Sequence, residues 1–147
     1  MIKNLFTLFL LFSSFPAKDI HIKADHTFED KVEQVTEQDS VRLYTEKTKA
    51  SYYHSKFNGR KTANGEVFSN RKLTAAHNSL PFGTVVRVTN LKTNKSVIVV
   101  INDRGKLGKN VSIDLTKEAF KSLTNTGLEK GVINVKIEII EDVVQRL

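Results

Sequence analysis

The chain has 147 residues, 39% hydrophobic and 27% charged, which is enough for one core and too apolar for a disordered polymer. It holds no cysteine, so disulfide frameworks, thiolate zinc sites, cysteine nucleophiles and a lipidated N-terminal cysteine are excluded, and four histidines leave little for a transition-metal site. The net charge of +7 is uneven: residues 18–49 carry six basic and eight acidic side chains, residues 50–147 sixteen and eight, so a basic domain follows a mildly acidic segment and favours an anionic partner.

Residues 1–17 read as a signal peptide. Lys3 supplies the positive start, Leu5 to Phe12 the apolar centre and Ser13 to Ala17 the processing region. The run is too short to span a bilayer as a helix. Residues 18–49, mixed in charge and without glycine, read as a polar spacer. From Ala50 the pattern turns to strands. Ala50 to Tyr53, Val85 to Thr89 and Ser96 to Ile101 are strand candidates, the last two joined by the polar connection Asn90 to Lys95. Leu80-Pro81-Phe82-Gly83 fits a tight turn. Thr116 can cap one helix with Ala119, Phe120 and Leu123 facing inward and Gly127 at its exit. Ile133, Val135, Ile137 and Ile139 alternate with Asn134, Lys136 and Glu138, which puts one face in the core and one in water. Several short strands around one helix suggest a small closed or nearly closed barrel over residues 50–140, with residues 141–147 as a tail.

Three polar clusters interrupt the strands. Gly59 to Glu66 contains the turn pair Asn64-Gly65 and places Glu66 at a loop-to-strand junction. Leu73 to His77 is a small-residue run ending in histidine. Ile101-Asn102-Asp103-Arg104-Gly105 precedes Ile113-Asp114-Leu115. Asp103 closes the apolar run Val97 to Ile101, where desolvation disfavours a charged carboxylate, as a general acid requires. Arg104 would act the other way if it points at Asp103, so geometry decides the sign. Taken singly, each residue has a plain structural reading. Glu66 would be exposed after a turn, His77 bonded to a backbone carbonyl, Asp103 capping its own turn and Asp114 supporting the following helix.

Their joint order is more specific. Ala50-Ser51-Tyr52-Tyr53, Gly59 to Glu66, Leu73 to His77, Leu80 to Thr84, Val86 to Leu91, Ile101 to Gly105 and Ile113 to Leu115, with these gaps, resemble the rare-lipoprotein-A (RlpA-like) family over about residues 50–140. The resemblance implies a mainly-β fold, a six-stranded double-psi β-barrel with one or two short helices, related to the first domain of expansins and to barwin. It implies a lytic transglycosylase that cuts peptidoglycan glycan strands, preferring those stripped of stem peptides, and leaves 1,6-anhydro ends. The family's functional Glu falls on Glu66, its His on His77 and its catalytic Asp on Asp103. Asp114 matches an Asp in the groove of expansins and related endoglucanases, and is taken with Arg104, Tyr52, Tyr53 and Asn64 as substrate-binding. The chain departs from the family at Tyr52-Tyr53-His54, where Trp-Tyr-Gly is frequent, and at Asn58, where His is frequent. It has no cysteine to carry the lipid found in many members, and it is expected to act without their C-terminal sporulation-related repeat.

A single acid suffices for the implied reaction, because the sugar's own C6 hydroxyl replaces water as nucleophile. Asp103 is the expected acid/base, with Glu66 and His77 tuning it or binding the sugar beside it. Tyr52, Tyr53, Phe57 and Phe82 are expected to offer flat faces to sugar rings, with core packing the favoured use of Phe82. No metal or organic cofactor is implied. The expected partner is peptidoglycan glycan rather than nucleic acid, and the protein is expected to be an exported monomer of the periplasm or cell envelope, with no membrane span after signal removal. A non-catalytic, expansin-like wall-binding barrel is the alternative.

Overall fold

The computed structural model describes residues 40–141. The signal peptide expected at 1–17, the spacer up to residue 39 and the tail after Glu141 lie outside these residues. The elements in chain order are β1 (Ser40–Tyr52), a 3-10 turn (Ser55–Phe57), β2 (Thr74–His77), β3 (Val85–Asn90), β4 (Ser96–Asp103), β5 (Val111–Leu115), α1 (Lys117–Ser122) and β6 (Ile133–Glu141).

The strands close into a barrel in the order β1-β5-β2-β4-β3-β6. The pairs β1–β5 and β2–β4 are parallel and the rest antiparallel. Parallel neighbours cannot be joined by a hairpin, so the chain makes crossovers, and the polar clusters lie on or beside these connections. The expected alternation in β6 is present: Ile133, Val135, Ile137 and Ile139 are buried while Asn134 is exposed. They meet Val86, Val88, Val97, Val99, Ile101, Ile113 and Leu115 in the main core. Each such side chain, fully buried, contributes about 1.5–3 kcal/mol. Helix α1 starts where expected. Thr116 Oγ1 accepts from the Ala119 amide at 3.4 Å and donates to the Lys72 carbonyl at 2.6 Å, and Ala119, Phe120 and Leu123 are buried.

Three strand features differ from the sequence expectation. β1 begins at Ser40, inside the expected spacer, because residues 40–49 pair with β6 while most of their side chains stay exposed. No apolar alternation marks such a strand. β2 carries no alternation either, since all four of its residues are buried. β5 is only five residues long. Phe82 differs too: it is 42% exposed, standing outside the core on the turn in which the Thr84 amide donates to the Pro81 carbonyl at 3.3 Å and Gly83 has φ 83°.

Two bulges set the direction of nearby side chains. On β4, Ala75 pairs with Ile101 but Ala76 with Asp103, so Asn102 is an extra residue. On β1, Leu43 pairs with Glu138 but Thr45 with Ile137, so Tyr44 is extra. An extra residue re-aims the side chains around it.

Candidate active site

The pairing register lays four residues in one row across four strands: Ser51 on β1, Asp114 on β5, Ala76 on β2 and Asp103 on β4. Ala75 belongs to the main core, whereas Ala76 packs with Tyr53, Phe68 and Phe57 in a second, outer cluster. The row therefore faces outward, beneath the connection from Tyr53 to Leu73. The β4 bulge puts Asp103 in this row; without the extra residue, Asn102 itself would stand beside Ala76. The methyl of Ala76 is the floor between two carboxyls two strands apart.

Asp103 is held by three donors. Its Oδ1 accepts from the Ala63 amide and from the Arg104 amide, each at 2.8 Å, and its Oδ2 accepts from the Tyr53 hydroxyl at 2.7 Å. The Tyr53 ring is 8% exposed and packs on Phe68 (centroids 4.4 Å apart) and Phe57 (6.0 Å), so the hydroxyl is aimed by packing. Burial, the hydrogen bond to Asp103 and the charges of Asp103 and Asp114 push the phenol far up, so it stays a donor.

Asp114 is the raised carboxyl of the site. Burial pushes it above the usual carboxylate range, the Ser51 hydroxyl, which donates to its Oδ1 at 2.7 Å, pulls it down, and the negative charge of Asp103 pushes it up. Arg104 does not turn its guanidinium to the Asp103 carboxylate. Nη1 donates to the His77 carbonyl at 2.8 Å and the Asp103 carbonyl at 3.2 Å, and the guanidinium lies 3.9 Å from the Phe82 ring centroid.

Glu66 follows the turn at residues 63–65 and leads into an isolated β-bridge, Val67 with Lys61, rather than into one of the barrel strands. The Thr62 amide donates to the Glu66 carbonyl at 2.8 Å, and Gly65 supplies the positive φ (93°) that the reversal needs. The Glu66 carboxylate is held at both oxygens: Oε1 accepts from Asn64 Nδ2 and Oε2 from Asn102 Nδ2, each at 2.9 Å. Ala63 on Asp103 and Asn102 on Glu66 thus pin the turn over the β4 bulge, which brings Glu66 and Asp103 to one wall.

His77 lies apart. Its Nδ1 accepts from the Ser79 and Leu80 amides, each at 3.1 Å, so the ring proton is on Nε2. The residue is 3% exposed, Nε2 has no partner among the described residues, and the bulged Tyr44 covers the ring edge-on at 5.3 Å. By alternation it points with Ala75 toward the barrel interior, away from the carboxylate row. It joins the site only through its carbonyl, which holds Arg104. Burial and then Arg104 lower its pKa. A histidine with a depressed folded pKa adds stability above its unfolded value of about 6.5 and loses it as pH falls below that. In wild type, the thermal midpoint should fall as pH drops from about 6.5. In His77→Asn, whose Oδ1 can accept the same amides without titrating, that component should vanish from a calorimetric pH series.

The structure thus brings together Asp103, Glu66, Asp114, Tyr53, Asn64 and Arg104, together with three residues that the sequence does not single out: Ser51, Ala76 and Asn102. Ser51 and Ala76 carry no signal in the sequence because their part is set by register. Tyr52 is on the other face of β1. Its ring packs on Phe120 (centroids 4.8 Å apart) and its hydroxyl donates to the Leu128 carbonyl at 3.0 Å. Among the described residues no group of three or more His, Cys, Asp or Glu is placed to hold a metal ion.

A closed six-stranded barrel with two parallel strand pairs is a double-psi β-barrel. Solved structures share the fold. The Streptomyces papain inhibitor aligns with TM-score 0.52 at 20% identity, over 69% of this chain and 96% of its own. The expansin of Clavibacter michiganensis aligns with TM-score 0.51 at 20% identity, over 67% and 51%. Residues 45–137 match the family described as lytic transglycolase, and the chain belongs to that family. The endolytic peptidoglycan transglycosylase RlpA of Neisseria meningitidis serogroup B is 40% identical over 124 residues, 84% of this chain and 51% of the relative. The probable RlpA of Treponema pallidum is 53% identical over 88 residues, 60% of this chain and 27% of the relative. The RlpA-like resemblance read from the motif order therefore holds. The chain spans about half the length of the first of these relatives and about a quarter of the second.

Proposed function

We propose that the barrel is a lytic transglycosylase acting on peptidoglycan glycan strands, with Asp114 as acid/base and Asp103 as its anchored partner. The observation that carries this reading is the row Ser51–Asp114–Ala76–Asp103, in which a raised carboxyl lies beside one held by three donors. A carboxyl raised by its surroundings suits the part of proton donor. The relatives' shared name over the matched barrel supports the substrate class.

In this reading the Asp114 carboxyl gives its proton to the glycosidic oxygen, and the C1–O bond breaks toward the leaving sugar. The Asp103 carboxylate, kept rigid by Tyr53 and two amides, stabilises the positive charge that develops at C1. The Asp114 carboxylate then takes the proton of the C6 hydroxyl, whose oxygen bonds to C1 and closes the 1,6-anhydro ring. No water enters, and the nucleophile is already on the reacting ring. Glu66, with Asn64 and Asn102, forms the adjoining wall and binds sugar hydroxyls. Arg104, Lys56 and Arg60 attract the lactyl carboxylates that remain once stem peptides are removed. The place of action is the cell envelope, reached through the export signal at residues 1–17.

The test is incubation of the full chain with peptide-free glycan strands and mass spectrometry of the products. New 1,6-anhydro ends are expected; reducing ends in their place, or no products, would overturn the reading.

The acid form of Asp114 is the active one, so the rate should fall as pH rises through its pKa. Ser51→Ala removes the one influence that lowers that pKa. The falling limb of the pH–rate profile should therefore move to higher pH, which initial rates across a buffer series would show.

A further inference from the structure

We propose that the cavity between the β3–β4 connection and the start of β6 is a second binding site, one that takes a carboxylate-bearing sugar. It lies by the Ser96 end of β4, the opposite end from Asp103, and has a volume of about 520 Å³. Small-molecule sites run from about 300 to 1,000 Å³. Lys47, Lys92 and Lys130 line it, and no acidic side chain does among the described residues. No hydrogen bond or ion pair engages the ammonium group of any of the three among those residues. Lys47 reaches the cavity because β1 carries an irregularity between Thr45 and Thr48.

Three cations without a partner among the described residues, set around one concavity, raise the local positive potential and attract an anion. The rest of the wall selects among anions. Leu91 is 41% and Val132 43% exposed, which offers an apolar surface to a ring face. The side-chain amides of Asn125 and Asn134 line the same space without a hydrogen-bond partner among the described residues. A bare phosphate would use the ammonium groups and leave Leu91 and Val132 wet. A sugar with a carboxylate substituent uses both. The choice of sugar rests on the proposed function: a glycan strand stripped of peptides carries such a group on every second ring. A strand held here is tethered away from the reacting bond, so the site adds affinity for the polymer without entering the chemistry.

The test is an NMR titration of the isotope-labelled full chain with N-acetylmuramic acid, N-acetylglucosamine and inorganic phosphate. N-acetylmuramic acid should cause saturable shifts at the amides of Leu91, Lys92, Thr126 and Asn134. N-acetylglucosamine should bind about tenfold more weakly, and the double variant Lys92→Gln/Lys130→Gln should weaken N-acetylmuramic acid about tenfold, the sum of a few exposed charge interactions. That variant should cut short soluble glycan at the wild-type rate. Absent or unsaturable shifts, equal binding of the uncharged sugar, or tighter binding of phosphate would each overturn the assignment. Failure of the proposed function is separable. Saturable shifts with no anhydro product from wild type leave this site standing and remove that reading; anhydro product with no shifts removes this site alone.

Discussion

Asp114→Asn is expected to lower kcat about 10²–10⁴-fold, the span that a positioned acid/base contributes. The amide keeps an oxygen for the Ser51 hydroxyl, so the fold is retained, but it has no proton to give the glycosidic oxygen. Stability should move the other way. A carboxyl whose folded pKa lies above its unfolded value stabilises the fold below the unfolded pKa, and that contribution is lost as pH rises through the folded pKa. Above the folded pKa wild type has lost it, and the Asn variant has nothing to lose. Calorimetry on the high-pH side of the wild-type falling limb should show a thermal midpoint no lower than wild type, beside a collapsed rate of anhydro-product release at the wild-type optimum. A rate within a few-fold of wild type would remove Asp114 from the chemistry.

Asp103→Asn is expected to cost about 10²–10³-fold in kcat, the scale of removing one preorganised electrostatic group from around a transition state. The substitution is nearly isosteric. Asn Oδ1 can accept the Ala63 and Arg104 amides, and the Tyr53 hydroxyl can turn to accept from Nδ2. What disappears is the negative charge that helps to raise Asp114. The residual activity should therefore show its falling pH limb at lower pH than wild type, opposite in sign to Ser51→Ala. Initial-rate profiles of the three proteins would display the two shifts. A profile unchanged in Asp103→Asn would mean that the two carboxyls do not interact.

Motif order and hydropathy point to Asp103 as the proton donor, the proposed reading gives that part to Asp114, and the two differ because the surroundings of each carboxyl are set by the fold. That Asp103 ends an apolar run is visible in the sequence. The Ala63 amide and the Tyr53 hydroxyl that reach it come from 40 and 50 residues earlier in the chain. Burial of Asp114 depends likewise on the closure of β5 between β1 and β2. Solvent exposure and hydrogen-bond donors are properties of neighbours, and neighbours are set by topology.

Local pattern by itself determined several elements. The period-two run of β6, the polar turn between β3 and β4, and the Thr116 cap ahead of Ala119 and Phe120 are local signals, because backbone geometry and side-chain sequence act within a few residues. Motif order carried the family and the barrel, and it singled out Glu66 and Asp103. Only the tertiary structure decided that β1 starts at Ser40, that the Asn102 bulge turns Asp103 outward, that His77 faces the interior under Tyr44, and that Phe82 stands in solvent under Arg104. Each depends on which strands become neighbours and in what register. A one-residue shift in pairing moves a side chain to the opposite face, and nothing within a single strand of this chain encodes that shift.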